Sequence, residues 1–186
     1  MRVIRGDLKG KKIFLPNDEK TRPLRDLVKE SVFNLIEHSN KFKLTLDNSN
    51  VLDLFSGTGS FGIECISRNA KKVTFVENYK LALDILKKNL VSLGIKKKSD
   101  IIEKSCFDLF KSKEFFKKKF NLIFMDPPYK EDKINFIIDQ IKMTEILDKK
   151  GILIIHRHKK DHIKISRKLK ILDERNYGLS KIIIGN

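Results

Sequence analysis

Cysteine is scarce: Cys65 and Cys106 are the only two in 186 residues, too few for a disulfide framework. A reducing cytoplasm is therefore the expected compartment. Long apolar runs are also missing. Stretches such as Leu122 to Met125 and Ile152 to Ile155 fall far short of the roughly 20 residues that a membrane-spanning helix needs, so no membrane partner is expected. Met1-Arg2-Val3-Ile4-Arg5-Gly6 is basic but lacks the apolar core of a signal peptide. No internal repeat stands out. Acidic residues are in deficit, 24 against 40 Lys plus Arg, which leaves a formal charge of +16. Arginine supplies only 8 of those 40 cations, and four of the eight (Arg2, Arg5, Arg22 and Arg25) lie in the first 25 residues.

What is present is enough for a folded chain. At roughly 100–200 residues per domain, this length suits one compact domain or one with a small appendage. A domain of this size buries about 70% of its unfolded surface and needs no disulfide or metal staple. Forty per cent apolar residues with 13 Phe exclude a wholly disordered chain. The charge points to a polyanionic partner without choosing among RNA, DNA and an anionic membrane. The arginine cluster sharpens this, because the guanidinium fork matches phosphates and base edges as an ammonium cannot.

The periodicity gives the organisation. Val3-Ile4 and Ile13-Phe14-Leu15 flank a Gly6/Gly10 segment and predict a β-hairpin. From Pro23, Leu24, Leu27, Val28, Val32, Leu35 and Ile36 recur at helical spacing. Residues 1–46 thus read as an N-terminal hairpin-helix extension, expected to touch nucleic acid, before a domain over 47–186. That domain alternates. Strands are expected at Val51 to Phe55, Val73 to Val76, Ile101-Ile102, Leu122 to Met125 and Ile152 to Ile155. Helices are expected after the first glycine-rich turn, at Leu81 to Leu93, at Leu109 to Lys118 and at Ile134 to Met143. Leu169 to Leu172 and Ile182 to Ile184 read as a closing antiparallel pair. Strands separated by helices of this length imply parallel βαβ units, an α/β fold.

Two stretches carry chemistry. Asp53-Leu54-Phe55-Ser56-Gly57-Thr58-Gly59-Ser60-Phe61-Gly62 places Gly-x-Gly-x-x-Gly between a strand and a helix, where glycines let a ligand approach the backbone. Glu77 ends the next strand, where a carboxylate can accept hydrogen bonds from vicinal ribose hydroxyls. A dinucleotide and S-adenosylmethionine (SAM) both fit. Asp53 would repel a pyrophosphate and attract a cationic sulfonium, which favours SAM; it can also simply hydrogen-bond the turn. The second stretch, Asp126-Pro127-Pro128-Tyr129, leaves a strand as a stiff loop, since Pro128 restricts both itself and Pro127. The Asp126 carboxylate and Pro127 carbonyl can both accept from one exocyclic amine, and Tyr129 can stack on an extruded base. His156, His158 and His162 have no companion ligand that completes a metal site, so no metal is expected; they read as solvated or RNA-contacting basic residues. Cys65 and Cys106 read as small buried apolar residues.

These residues resemble a family. The chain is similar to the class I SAM-dependent methyltransferases that act on exocyclic amines, and more narrowly to the bacterial 16S rRNA guanine-N2-methyltransferases of the RsmD type. The narrower resemblance rests on Arg2-x-Ile4-x-Gly6 with Lys9-Gly10, on Thr21-Arg22-Pro23-Leu24-Arg25-Asp26-x-Val28-Lys29-Glu30-Ser31-Val32-Phe33-Asn34, and on Glu174-Arg175-x-Tyr177-Gly178. The usual Thr after Arg-Pro is Leu24 here. The resemblance implies a Rossmann-like fold with a seven-stranded, mostly parallel sheet and one antiparallel strand, plus the N-terminal hairpin and helix. It implies SAM held by Asp53, Phe55, Gly57, Thr58, Gly59, Gly62, Glu77 and Asn78, with Ser105 and Cys106 facing the adenine. Relatives often carry Asp or Asn where Ser105 stands, so Ser105 and Asp108 are alternatives for the adenine amine. Asp126, Pro127, Pro128 and Tyr129 would hold the target guanine, and Arg2, Arg5, Lys9, Arg22 and Arg25 the rRNA. The expected activity is methylation of a guanine 2-amino group in small-subunit rRNA, naked or in an assembly intermediate, by a cytoplasmic monomer. A DNA adenine-N6 or cytosine-N4 methyltransferase, an NAD-binding oxidoreductase and a non-catalytic RNA-binding module are the alternatives.

Overall fold

Seven strands form one sheet in the order β3-β2-β1-β4-β5-β7-β6 in a computed structural model that describes residues 1–18, 24–111 and 115–186. The strands are β1 (Asn50–Leu54), β2 (Lys72–Val76), β3 (Ser99–Ile102), β4 (Phe120–Met125), β5 (Leu147–His158), β6 (Ile171–Tyr177) and β7 (Ser180–Gly185). The helices are α1 (Asp26–His38), α2 (Ser60–Ser67), α3 (Lys80–Ser92), α4 (Cys106–Leu109) and α5 (Ile134–Met143). Strands β1 to β5 pair in parallel, whereas β7 runs antiparallel to both β5 and β6. This is the expected mostly parallel sheet with one reversed strand. Among the described residues no helix is long and apolar enough to cross a membrane.

Both faces of the sheet are covered, which explains why the central strands read as nearly unbroken apolar runs. Val51, Val73, Leu122 and Ile152 pack toward α1, α2 and α3, while Leu52, Leu54, Ile123 and Ile155 pack toward α5 and α4. Phe61 stacks between Phe33 of α1 and Phe124 of β4, with ring centroids 4.9 and 3.8 Å away. Val3, Ile13, Val28, Val32 and Phe33 belong to the same apolar cluster as Val51 and Val73. Buried polar groups tie this layer down as well. Lys29, fully buried on α1, donates to the Arg2 carbonyl and to Ser60 Oγ, both at 3.2 Å, and lies 3.8 Å from Glu64. Burial pushes its ammonium below the usual range, opposed by Glu64 and Asp26.

Several elements differ from expectation. The N-terminal hairpin forms but is short: one antiparallel bridge, Arg2 to Lys12, with the amides of Val3, Gly10 and Ile13 donating to the carbonyls of Lys11, Val3 and Met1. The amides of Ile4 and Arg5 donate instead to the Glu64 carboxylate, at 2.8 and 2.9 Å, so they are spent on α2 rather than on a partner strand. Helix α1 starts at Asp26, three residues beyond Pro23. The helix expected over Leu109 to Lys118 is absent from the described residues. Ser105 Oγ accepts from the Phe107 amide and starts the short α4 earlier, and a 3-10 turn, Phe115–Lys117, follows. Phe110 and Phe115 turn into the core there, edge to face at 6.2 Å, rather than forming a helical stripe. Strand β5 is 12 residues long, because it continues past a register shift opposite Phe120 and Leu122 at one end and to His158 at the other.

Candidate active site

The carboxyl ends of β1 and β4 lie side by side, Leu54 opposite Met125, at the point where strand order reverses. Ligands in open α/β sheets bind in that crevice. Both chemistry-bearing stretches leave the sheet here.

The glycine turn is built by backbone demands. Gly57 and Gly59 have φ of +54° and +83°, and Phe55 adopts +57° despite its side chain. At Gly62 a Cβ would stand 2.3 Å from Phe75 Cε1, so only glycine lets α2 pack this closely on β2. Asp53, 1% exposed, accepts from the Gly62 amide at 3.0 Å. Burial, with Asp126 and Glu77 nearby, pushes its carboxyl from 3.8 up to about 8. Glu77 accepts from the Gly57 amide at 2.7 Å and from those of Asn78 and Tyr79 at 2.9 and 2.8 Å, so its carboxylate is fixed beside the turn. Ser56 Oγ is a buried hydroxyl with no hydrogen-bond partner among the described residues. An orphaned hydroxyl in a turn flanked by the Asp53 carboxyl and the fixed Glu77 carboxylate fits a small, cationic, hydroxyl-bearing ligand such as SAM.

The other proposed cofactor residues line the same edge. Thr58 is buried, and its carbonyl accepts from Asn89 Nδ2 at 3.0 Å. Asn89 also bonds both backbone groups of Phe14, which ties the N-terminal segment to the glycine turn. Ser105 caps α4, and Cys106, the first residue of that helix, is buried. Burial pushes the Cys106 thiol well up, and that of Cys65 likewise, so both are inert apolar fillers. Asp108 pairs with Lys111 at 2.5 Å.

The Asp126 loop is held from β5. Arg157, 2% exposed, donates from Nη1 to the Pro128 carbonyl at 3.1 Å and from Nη2 to the carbonyls of Tyr129 and Glu131 at 3.1 and 3.0 Å. Its Nε pairs with Asp161. One planar fork thus fixes three carbonyls of the loop that follows Asp126. His156 corrects the sequence expectation: it is not solvated but 5% exposed, with Nδ1 2.7 Å from Asp126 Oδ1 and Nε2 2.8 Å from Ser180 Oγ. Its position between β4 and β7 shields it from solvent, which spacing along β5 does not reveal. Tyr129 is half exposed, its ring edge-on to His158 at 5.4 Å. His156, Arg157 and Ser180 were missed; the only signal was three polar residues, His156 to His158, continuing an apolar strand. No cluster of three metal-ligating side chains occurs among the described residues.

The basic N-terminal residues separate. Arg2 and Arg25 are exposed at the Ser60 end of α2, beside the glycine turn, through the contacts of Lys29 with the Arg2 carbonyl, Ser60 and Asp26. Arg5 and Lys9 sit toward the other end, where Asp7 and Leu8 bond Ser67, and Arg5 pairs with Glu37 at 2.8 Å. Arg22 lies outside the described residues.

A pH effect follows from Asp53. Its raised carboxyl favours the neutral form in the folded chain, so stability from this site is complete below pH 3.8 and is lost as pH rises through about 8. Asp53→Asn should flatten that decline in denaturant titrations between pH 5 and 9. An unchanged slope would contradict it.

With the site described, similarity to known proteins is informative. Residues 1–186 match the family model described as conserved hypothetical protein 95. The protein named ribosomal RNA small subunit methyltransferase D of Haemophilus influenzae is 38% identical over 130 residues, 69% of this chain and 64% of that one. Its namesake in Buchnera aphidicola (from Acyrthosiphon pisum) is 33% identical over 161 residues, 87% of this chain and 80% of that one. Among solved structures, a candidate methylase of Haemophilus influenzae matches with a TM-score of 0.77 at 28% identity, covering 100% of this chain and 97% of that one.

Proposed function

The chain belongs to the RsmD-type methyltransferase family described as conserved hypothetical protein 95, and we propose that it transfers a methyl group from SAM to a guanine 2-amino group in small-subunit rRNA. The observation that carries this reading is the fixed Asp126–Tyr129 loop beside the glycine turn and Glu77.

SAM would supply an electrophilic methyl group on a sulfonium, the sulfur–methyl bond breaking as the nitrogen–methyl bond forms and S-adenosylhomocysteine leaving. Glu77 would accept hydrogen bonds from its ribose hydroxyls, Asp53 would face its cationic end and Cys106 the adenine, with Ser105 or Asp108 at the adenine amine. The Asp126 carboxylate and the Pro127 carbonyl accept the two N–H bonds of the target amine. That turns the nitrogen lone pair, otherwise delocalised into the ring, toward the methyl donor. Asp126 then receives the proton that the methylated nitrogen sheds. Tyr129 stacks on the extruded base, a contact worth about 1–3 kcal/mol. Orientation of this kind is where most of the acceleration arises.

Incubating the protein with labelled SAM and 16S rRNA from cells lacking it, then mapping the labelled nucleotide, tests the reading. Label on a guanine N2 supports it. Label on duplex DNA, or none on either, rejects it.

The N-terminal segment, residues 1–46, would dock the rRNA through phosphates, with Arg2 and Arg25 nearest the site. Reversing both charges should weaken rRNA binding and lower the slope of log K against log salt by about 1 per charge removed. Reversing Arg5 and Lys9 should do less. Equal effects from the two pairs would show that the placement along α2 does not matter.

A further inference from the structure

We infer that His156, locked by Ser180, is the positioning residue that aims Asp126 at the target amine; this rests on the acceptor role given to Asp126 above. Asp126 ends a strand, and its side chain is 22% exposed, so nothing on its own backbone stops it turning toward water. His156 reaches it from the neighbouring strand. Strands β4 and β5 pair Met125 with Ile155, which puts the next residue of each strand side by side beyond the last pair.

The chemistry of the partners assigns the hydrogens. A carboxylate only accepts, so the 2.7 Å contact needs a hydrogen on His156 Nδ1. In the neutral ring Nε2 then carries a lone pair, and the Ser180 hydroxyl, 2.8 Å away, donates to it. Ser180 comes from β7, whose antiparallel pairing with β5 sets it opposite His158 and near His156. The imidazole is held at both ends, in one tautomer, and is buried together with Ser180. With Oδ1 of Asp126 held by Nδ1, the orientation of the carboxylate is set and Oδ2 is left able to accept from the amine. The same ring lies edge-on to Tyr129 at 6.4 Å, so one residue touches both the acceptor and the stacking aromatic. His156 never meets the reacting atoms; it acts through Asp126.

His156→Leu, His156→Asn and Ser180→Ala separate positioning from packing. Asparagine can place an N–H near the position of Nδ1 but gives up the link to Ser180. With labelled SAM and 16S rRNA, His156→Leu should lose about 30- to 100-fold in kcat while KM for rRNA stays within about threefold. His156→Asn should recover most of that loss, and Ser180→Ala should fall between. Independently of turnover, nitrogen NMR of the ring should report the single Nδ1–H tautomer in the wild-type protein and a mixture in Asp126→Ala, which lacks the acceptor that selects it. Undiminished kcat in His156→Leu, or a loss that asparagine does not relieve, overturns the positioning role while leaving the activity standing. A ring populating both tautomers in the wild type overturns the geometry behind it. Failure of the wild-type protein to methylate rRNA overturns the activity itself, and the role with it.

Discussion

Asp126→Ala should still bind SAM with nearly unchanged affinity yet lose methyl transfer by at least about two orders of magnitude, the size expected when a transition-state contact is removed. The separation follows from where the residue sits. Asp126 leaves the end of β4, and its Oδ1 is held by His156, whereas Glu77, the proposed ribose-binding group, takes its orientation from the amides of Gly57, Asn78 and Tyr79. Removing the Asp126 side chain leaves those three hydrogen bonds untouched. The loss should fall on kcat, because the carboxylate matters most as the amine rehybridises and sheds its proton. Calorimetry with SAM and a single-turnover methylation assay check the two halves. Wild-type turnover in Asp126→Ala would remove this residue from the mechanism; a parallel collapse of SAM affinity would show that its carboxylate shapes the cofactor site instead.

The second large effect is expected at Arg157. Its guanidinium joins the carbonyls of Pro128, Tyr129 and Glu131 to Asp161, and the side chain is almost wholly buried. Arg157→Leu keeps bulk but deletes four hydrogen bonds and strands a partly buried carboxylate. Stability should fall by about 2–3 kcal/mol, at the level of losing charge-assisted bonds to a group that stays inside. Methyl transfer should fall by about 100-fold or more, because the segment after Asp126 no longer holds Tyr129 in place. Arg157→Lys should not rescue, since one ammonium on a flexible stem cannot span three carbonyls and a carboxylate together. Denaturant titration and the methylation assay read both outcomes. Full activity in the lysine variant would show that charge alone, without the planar fork, suffices.

Much of the fold is legible in local pattern. The runs at Val51, Val73 and Leu122, interleaved with helical stripes, fix a parallel sheet because each strand must be apolar on both faces when helices cover both. Ile134 to Met143 is a helix within the expected bounds, since Ile134, Ile137, Ile138 and Ile141 all bury on one side. The segment after Ser105 departs from the expected helix, and Phe110 and Phe115 are buried singly in the core, edge to face, rather than as a helical stripe. The hairpin is legible too, but it stays short, because the Ile4 and Arg5 amides answer a carboxylate on α2, 60 and 59 residues away.

The same division runs through the site. Sequence alone determined the glycine turn, Glu77 at the end of the second strand and the Asp126-Pro127-Pro128-Tyr129 loop, because each function there depends on neighbours within a few residues and on backbone rules that glycine and proline announce. Only the tertiary structure decided what holds that loop. Across β4, β5 and β7, His156 reaches Asp126 from 30 residues away, Ser180 reaches His156 from 24 and Arg157 reaches Pro128 from 29. Strand pairing, not spacing, brings them there, and a histidine at a strand end looks the same in sequence whether it meets water or a carboxylate. The arginines divide in the same way. Their crowding into the first 25 residues is visible at once, but the contacts with Glu64, Ser67 and Lys29 put Arg2 beside the glycine turn and Arg5 at the opposite end of α2.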